Sequence, residues 1–401
     1  VVSTGSGNKY VIDGNQQQYV ILSPGGTFRF DQADSSNSGH PFRFSQTPNG
    51  THNSGSEYTI GVTVAGTPGN AGAYTEIEVT GDTAAYLFYY CTQHSGMGGD
   101  INITTNSSGR AIFAGGFYPA PSQTNVMNFI HINSLGNAFD YGDLATARAS
   151  DSACASSTRV LFGGGYIAPA RSNVIEYTQF AAQSMSVDFG DLTVARSNSG
   201  AGGSSTRGIW TNGYGPAFSN VIDYVTLANT GNATDFGDAT VSTYDHVSVT
   251  SSTRLASAGG DLGPAQTNVI DYVTISSTGD ASDFGDLLNA NQGMATYSSS
   301  TRGCYSGASP SSSSDVNVIQ YITIASTGNS QDFGDLTQSR GEMSGTGSSI
   351  RGIVCGGTTP SRVNTIDYTT IASLGNAKDF GDLTITVSGM GGNSNDHGGL
   401  Q

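Results

Sequence analysis

A sequence repeat of about 48 residues occurs six times along the 401-residue chain, and it limits the chain to a small number of folds. Its centre is the tetrad D-F-G-D, and successive tetrads begin 48, 47, 48, 49 and 47 residues apart. The tetrads, the first of them D-Y-G-D, begin at Asp140, Asp188, Asp235, Asp283, Asp332 and Asp379. An arginine that ends a Ser/Thr-rich turn recurs in step, at Arg110, Arg159, Arg207, Arg254, Arg302 and Arg351. A third phrase, N-V-I-D-Y and its variants, begins at Asn125, Asn173, Asn220, Asn268, Asn317 and Asn364.

Each copy of the repeat contains four short strand-like segments separated by turns. A period of 45–50 residues with four strands per unit is typical of one blade of a β-propeller. We therefore predict an all-β propeller domain over residues 107–401. Six blades result if residues 387–392 complete the blade that Arg110–Gly116 begins, and a seventh is expected if the native chain continues past Gln401.

The order of the segments resembles the kelch repeat, in which a diglycine follows the second strand and an aromatic residue comes soon after. The diglycines are Gly115–Gly116, Gly163–Gly164, Gly259–Gly260 and Gly356–Gly357. Phenylalanine stands in the tetrad where kelch repeats usually carry tryptophan, so the blades are kelch-like. The repeat phrase is also similar to repeats in virion structural proteins of marine bacteriophages, and that resemblance implies a tail or capsid appendage.

Residues 1–106 carry a different pattern of seven or eight short strand-like runs punctuated by Gly, Pro, Asn and Asp. So many short strands in about a hundred residues favour a β-sandwich, which we expect to be a separate Greek-key domain. The predicted runs are Lys9–Asp13, Tyr19–Ser23, Thr27–Asp31, Pro41–Ser45, Tyr58–Ala65, Tyr74–Thr80, Ala85–Cys91 and Asp100–Thr104.

One stretch of this domain, YLFYYCTQHSGMGGDINI, contains three side chains that bind soft metals. A strand leads to Cys91, and a tight loop presents His94 and Met97. His40, 51 residues before Cys91, begins another predicted strand. A thiolate and two imidazoles in a plane, with a weak axial thioether, form the ligand set of a blue-copper centre.

The spacing C-x-x-H-x-x-M after an aromatic strand, with G-H-P-F upstream, resembles the plastocyanin and amicyanin branch of the cupredoxins. The resemblance covers about a quarter of the chain and implies that His40, Cys91, His94 and Met97 are the ligands of one copper ion. In plastocyanins an Asn commonly follows the upstream His and joins the two ligand loops, whereas Pro41 follows His40 here. This departure bears on the hydrogen bonds that support the ligands, and through them on the redox potential. We expect His52, in a polar loop, to be a surface residue.

Composition excludes several classes of function. The formal net charge is −16 and only two lysines occur, Lys9 and Lys378, so the surface repels phosphate backbones and we expect no nucleic-acid partner. No apolar run approaches the ~20 residues that span a bilayer, so we expect a soluble chain without membrane insertion. The sequence begins at Val1 without a methionine or a secretory h-region, which indicates processing or a longer native chain.

The sequence does not predict an enzyme. No nucleophile elbow, zinc motif, P-loop or dinucleotide fingerprint is present, and His131, His246 and His397 do not occupy equivalent repeat positions. We interpret the repeated Asp and Arg as turn caps and Arg–Asp bridges between blades. Each tetrad offers two carboxylates without an EF-hand-like pattern, so calcium sites are not predicted. Cys154, Cys304 and Cys355 are expected to be buried free thiols.

Two functions remain. The first is a non-enzymatic structural or binding protein, a phage virion appendage that displays a propeller outside cells. Its partners would be other virion or surface proteins, or a glycan or protein receptor on the host. The alternative is a copper-dependent electron-transfer protein or oxidoreductase that uses the predicted type 1 copper site.

Overall fold

The computed structural model describes residues 1–400 except 6, 23–25, 80–82, 85, 104–108, 120–121, 182 and 311–313. The described residues form an all-β protein, with 3-10 helices at Ser35–Asn37, Gly50–Asn53 and Gly398–Leu400. None of these helices is long and apolar enough to cross a membrane. The chain divides into two compact units, Val1–Ser108 and Gly109–Gln401. The predicted boundary between residues 106 and 107 lies outside the described residues.

The described part of the first unit contains twelve short strands. They are β1 (Val2–Thr4), β2 (Gly7–Lys9), β3 (Val11–Ile12), β4 (Asn15–Gln16), β5 (Val20–Leu22), β6 (Thr27–Asp31), β7 (Phe42–Ser45), β8 (Glu57–Tyr58), β9 (Val62–Ala65), β10 (Tyr74–Glu78), β11 (Tyr86–Cys91) and β12 (Gly99–Ile103). One sheet has the order β5-β12-β11-β7-β8 and another the order β6-β10-β9, while β1–β2 and β3–β4 form two hairpins. Every pairing is antiparallel except that of β5 with β12.

The alternation of side chains along the strands decides which face of each sheet is buried. On β10, Thr75 and Ile77 are buried while the carboxylates of Glu76 and Glu78 are not. β11 is buried along almost its whole length, and its apolar side chains join those of β7 and β10 in one core. Burial of this apolar surface is the main stabilising term for the unit.

The second unit contains 28 strands. They are β13 (Arg110–Ala114), β14 (Thr124–His131), β15 (Phe139–Arg148), β16 (Ser152–Ala155), β17 (Arg159–Gly163), β18 (Tyr166–Ile167), β19 (Ala170–Arg171), β20 (Val174–Gln179), β21 (Val187–Asp191), β22 (Gly200–Gly203), β23 (Arg207–Tyr214), β24 (Phe218–Thr226), β25 (Thr234–Thr243), β26 (Val247–Thr250), β27 (Arg254–Ala258), β28 (Val269–Thr274), β29 (Ser282–Asp286), β30 (Ala295–Ser298), β31 (Arg302–Ala308), β32 (Val316–Thr323), β33 (Gln331–Asp335), β34 (Ser344–Gly347), β35 (Arg351–Cys355), β36 (Thr358–Thr359), β37 (Ser361–Arg362), β38 (Thr365–Thr370), β39 (Lys378–Asp382) and β40 (Gly391–Ser394).

These strands form six four-stranded antiparallel sheets, which we number by chain order, and two small hairpins, β18–β19 and β36–β37. Sheet 1 is β40-β13-β14-β15, sheet 2 is β16-β17-β20-β21 and sheet 3 is β22-β23-β24-β25. Sheet 4 is β26-β27-β28-β29, sheet 5 is β30-β31-β32-β33 and sheet 6 is β34-β35-β38-β39. The tetrad of each repeat lies on the last strand of its sheet.

The six sheets follow one another in a cycle. The first strands of the sheets, β16, β22, β26, β30, β34 and β40, contact one another in this order, and β40 also contacts β16. We expected residues 387–392 to complete the sheet begun by Arg110–Gly116, and the strand that does so is Gly391–Ser394, which pairs with Ala111–Ala114. Sheet 1 therefore contains strands from both ends of the unit.

A closed ring of backbone hydrogen bonds lies just before these first strands. Each of six residues has a positive φ, and each donates its N–H to the carbonyl of its counterpart in the neighbouring sheet, over 2.7–3.1 Å. We call them the inner ring: Ser150, Asn198, Asp245, Gly293, Glu342 and Gly389. Four of the six are not glycines, so the left-handed backbone at these positions is held by the ring of hydrogen bonds.

No ion pair of the described residues joins a tetrad aspartate to Arg159, Arg207, Arg254, Arg302 or Arg351, so the predicted bridges at these arginines are wrong. The repeated arginines lie over an aromatic ring of their own sheet, with the guanidinium carbon 4.4–5.8 Å from the ring centroid. Five of them also donate to a backbone carbonyl of the next sheet: Arg110 to Phe180, Arg207 to Ile275, Arg254 to Ile324, Arg302 to Ile371 and Arg351 to Ile132. The last of these bonds joins sheet 6 to sheet 1.

A second set of contacts joins each sheet to the next across the boundary between them, which we call a seam. These contacts are made by a polar side chain on the third strand of the following sheet. These side chains accept a hydrogen bond of 2.8–3.2 Å from the backbone N–H two residues after the preceding tetrad. They are Asn128, Glu176, Asp223, Asp271, Gln320 and Asp367. In three seams a buried arginine of the preceding sheet also pairs with the carboxylate: Arg148 with Glu176, Arg196 with Asp223 and Arg340 with Asp367.

Candidate metal centre

The pairing of two neighbouring strands brings the predicted ligands of the first unit together. β7 and β11 are antiparallel, and Cys91 at the end of β11 lies opposite Phe42 at the start of β7. His40 comes two residues before Phe42, so it lies beside Cys91 despite the 51 residues between them. The loop from β11 to β12 carries His94 and Met97.

The nitrogen atoms of both imidazoles lie close to the thiol. Cys91 Sγ is 3.8 Å from His40 Nδ1 and 3.7 Å from His94 Nδ1, and the two ring centroids are 4.6 Å apart. One ligand atom from each of the three residues lies within 4.8 Å of the others. Cys91 and His40 are buried while His94 is exposed. This cluster can hold a metal ion.

Met97 is buried in the same apolar cluster as Cys91, with 1% of its surface exposed. Its carbonyl accepts a hydrogen bond of 3.1 Å from the backbone N–H of Tyr10. The structure thus places the thioether residue in the same buried cluster as the thiol residue and holds its backbone against the N-terminal segment.

Buried aromatic residues and polar contacts hold His40 in place. The hydroxyl of Tyr10 donates to the His40 carbonyl over 2.8 Å, and the amide of Gln32 donates to the same carbonyl over 3.1 Å. Burial, with the neighbouring thiol of Cys91, raises the pKa of Tyr10, so its hydroxyl keeps the proton that it donates. Burial also lowers the pKa of His40, and the nearby His94 ring adds to this effect.

Asn49 joins a second loop to the ligand loop. Its side-chain amide donates to Ser95 Oγ and accepts from the Gly96 N–H, both over 2.8 Å. In plastocyanins the Asn after the upstream His joins the two ligand loops. Pro41 takes that position here, and Asn49 makes a contact between loops instead. No spacing rule pointed to Asn49, because its partners lie 46 and 47 residues away.

His52 contacts the site through the backbone of Cys91, which the sequence did not predict. His52 is exposed, which confirms the prediction of a surface residue, and its Nε2 lies 2.8 Å from the Cys91 carbonyl oxygen. A carbonyl only accepts, so Nε2 carries the proton that it donates. Asn49 and His52 thus support the loop and the strand that carry the ligands.

The other titratable residues that the sequence singled out do not assemble into a site. Burial lowers the pKa of His131 and His246 to about 3 and that of His397 to about 4. Cys154, Cys304 and Cys355 are free and buried, as predicted, and burial raises the pKa of each thiol. Within the described ranges, His40, Cys91 and His94 form the one group of three such side chains close enough to share a metal ion.

Comparison of the chain with protein-family models and with curated proteins finds no match.

Proposed function

We propose that the first unit is a cupredoxin-like β-sandwich that binds one copper ion. The approach of the Cys91 thiol to Nδ1 of both His40 and His94 carries this proposal, because thiolate with imidazole is the donor set that copper prefers. Met97 would supply the weak axial thioether. Copper, when bound, supplies one-electron redox chemistry.

The surrounding residues would hold these ligands in place. With Nδ1 turned toward Cys91, His40 Nε2 faces Asn8, whose side-chain amide lies 3.4 Å away. A metal on Nδ1 requires the ring proton on Nε2, so the Asn8 amide, whose nitrogen faces the ring, would turn over and present its oxygen as the acceptor. Such supporting contacts fix the tautomer and the orientation of a ligand imidazole.

A copper titration of the whole chain tests the proposal. Copper(II) should produce a blue colour with absorption near ~600 nm at one equivalent, from charge transfer between the thiolate and the metal. Cys91→Ser should abolish the band. Cys154→Ser removes a buried thiol of the second unit and should leave it unchanged. If the wild-type chain stays colourless at saturating copper(II), the proposal is contradicted.

For the second unit we propose a kelch-like six-bladed β-propeller with a binding role and no catalytic role. The cyclic order of the six sheets supports the architecture. The segments between the second and third strands differ from repeat to repeat, while the strands barely change. Such variation on a constant scaffold is typical of a recognition surface.

We propose the surface of a phage virion as the setting, with another virion protein or a host receptor as the partner. The acidic, lysine-poor composition and the resemblance of the repeats support this setting. Mass spectrometry of purified virions tests it directly. The protein should be found at a fixed ratio to the capsid protein, whereas its confinement to infected-cell lysate would contradict the assignment.

The exposure of His94 favours copper-dependent electron transfer as a second candidate. An exposed ligand imidazole offers a short path for an electron to a docked partner, while the other three ligands stay buried. Reversible one-electron voltammetry of the copper-loaded protein tests this role. If copper binds but is not reversibly reduced and oxidised, its role is structural and the electron-transfer role is contradicted.

A further inference from the structure

The seam between sheets 3 and 4 lacks the arginine–carboxylate pair that three other seams contain. In three other seams a buried arginine, at the fifth position after the last residue of a tetrad, meets a carboxylate of the next sheet. At the equivalent place between sheets 3 and 4 the arginine is replaced by Thr243, but the carboxylate remains as Asp271. Two further seams lack the arginine, and there Gln320 and Asn128 replace the carboxylate. Asp271 is thus left without the cation that its counterparts have.

A small cavity of about 10 Å³ lies in this seam, against both Thr243 and Asp271. Thr243 and Asp271 line it, together with Asn212 and His246. This volume matches the space that one water molecule requires inside a protein. Asn212 and His246 belong to this seam alone, because other repeats have glycine at the first position and mostly Met at the second.

The tautomer of His246 follows from its other contact. The backbone N–H of Gly200 donates to His246 Nε2 over 3.1 Å, so Nε2 is the unprotonated nitrogen. The ring is 3% exposed and neutral, since burial lowers its pKa to about 3. Its proton is therefore on Nδ1, and this atom has no hydrogen-bond partner among the described residues.

Asn212, which lines the same cavity, has an acceptor without a partner among the described residues. Its Nδ2 donates to the Val241 carbonyl and to Thr243 Oγ1, both over 2.8 Å, and a carbonyl partner identifies this atom as nitrogen. The other atom, Oδ1, has no partner in the described part of the chain, and the residue is 4% exposed. A buried donor or acceptor that stays unpaired destabilises the folded state, so both atoms favour a partner in the cavity.

We infer that this cavity binds one structural water molecule. The water accepts the proton of His246 Nδ1 and donates to Asn212 Oδ1 and to the Asp271 carboxylate. Three hydrogen bonds are the usual number for a buried water. A metal cation does not suit the cavity, because the N–H of His246 would point its proton at the ion. The inference does not depend on copper binding in the first unit.

Nuclear magnetic resonance of the full chain labelled with ¹⁵N-histidine tests the inference in solution. His246 should appear as the Nδ1–H tautomer, with a cross-peak between this proton and the water resonance. His397 is the matched control within the chain, since its Nε2 lies 2.9 Å from the Ala155 carbonyl and its Nδ1 accepts from the Gly399 N–H. It should appear as the opposite tautomer without a water cross-peak. An Nε2–H tautomer of His246, or no contact of its ring proton with water, would overturn the inference.

Two further measurements separate water from a cation without any variant. A crystal structure at about 1.5 Å should show one peak 2.7–3.2 Å from His246 Nδ1 and from Asn212 Oδ1. The melting temperature should be equal in sodium, potassium and ammonium chloride at one ionic strength. A peak at shorter, metal-like distances, or a melting temperature that rises with one of these cations alone, would assign the site to an ion and overturn the inference.

Discussion

Asp271 and Asp367 occupy the same place in their repeats but have different electrostatic surroundings. Both accept hydrogen bonds from the backbone N–H and hydroxyl of a threonine in the preceding sheet. Asp367 also lies 2.9 Å from the guanidinium of Arg340, and both side chains are buried. No ion pair of the described residues includes Asp271, and burial raises its pKa. The two aspartates therefore form a natural matched pair.

We predict that Asp367→Asn destabilises the second unit and that Asp271→Asn barely does. The first change leaves the buried charge of Arg340 uncompensated, which costs about 3–5 kcal/mol. The second change removes a charge that lacks a cation, so the expected cost is about 1 kcal/mol or less. Urea unfolding followed by the fluorescence of the buried Trp210 measures both. Equal losses in the two variants would contradict this account of the seams.

Asp151 is a buried carboxylate at a position where three other repeats have methionine: Met294, Met343 and Met390. Its two oxygens have no hydrogen-bond partner among the described residues. Burial raises its pKa from the ordinary value of 3.8 to about 7. Between these two pH values the folded chain holds a proton that the unfolded chain has lost, so stability falls as the pH rises through this window.

We predict that Asp151→Met removes this part of the pH dependence. The gain in the free energy of unfolding at pH 8 should reach up to about 4 kcal/mol, because three pH units correspond to about 1.4 kcal/mol each. At pH 4 the two proteins should differ much less, since the carboxyl is neutral there in the folded state. Chemical unfolding at both pH values measures the difference. A gain that is the same at both would assign it to packing and not to titration.

At the scale of elements, the loop that contains Asn49 and His52 supports the metal ligands from outside the ligand set. Asn49 makes two hydrogen bonds to the ligand loop, and its backbone is left-handed with φ 61°. We predict that Asn49→Leu weakens copper binding about 10- to 100-fold, as is usual when a supporting contact is lost. Competition with a copper chelator measures the affinity. Asn53→Leu, an exposed change in the same loop, should leave the affinity unchanged.

The strands of the repeats could be predicted closely because the same local pattern occurs six times. Each copy places its tetrad on a last strand and its N-V-I-D-Y phrase on a third strand. The partners of the repeated arginines could not be predicted, since Arg254 binds a carbonyl 70 residues later, in the next repeat. Charge alone suggested the tetrad aspartates as partners of these arginines. In the structure, Arg254 instead makes a cation–π contact with Tyr272 and a hydrogen bond across the seam. The diglycine of sheet 2 is likewise Gly164–Gly165, one residue later than predicted.

The metal cluster was predictable for a different reason. Three ligand types lie on one short motif, and the motif limits their separation whatever the rest of the domain does.

The predicted run Tyr58–Ala65 is instead two strands, β8 and β9, separated at Gly61, whose φ is 70°. Such breaks depend on the carbonyl of Glu78 lying against Gly61, a contact that no local pattern reveals.

At the scale of the whole molecule, the two units have separate hydrophobic cores. We predict two unfolding transitions in calorimetry, of which copper raises only one. A ligand at 100 times its dissociation constant stabilises the native state by about 2.7 kcal/mol, and this gain belongs to the unit that binds it. Cys91→Ser should remove the shift and leave the other transition in place. A single transition that copper moves as a whole would show that the units unfold together.

The pairing of β40 with β13 means that the second unit has no structurally required starting point. Sheet 1 is assembled from strands near both ends of the unit, while the other five sheets are each continuous in sequence. Opening the gene between any two other repeats and joining the old ends would preserve every seam between sheets. The unit is therefore a natural subject for circular permutation, and any of its six repeats could be the first of the unit.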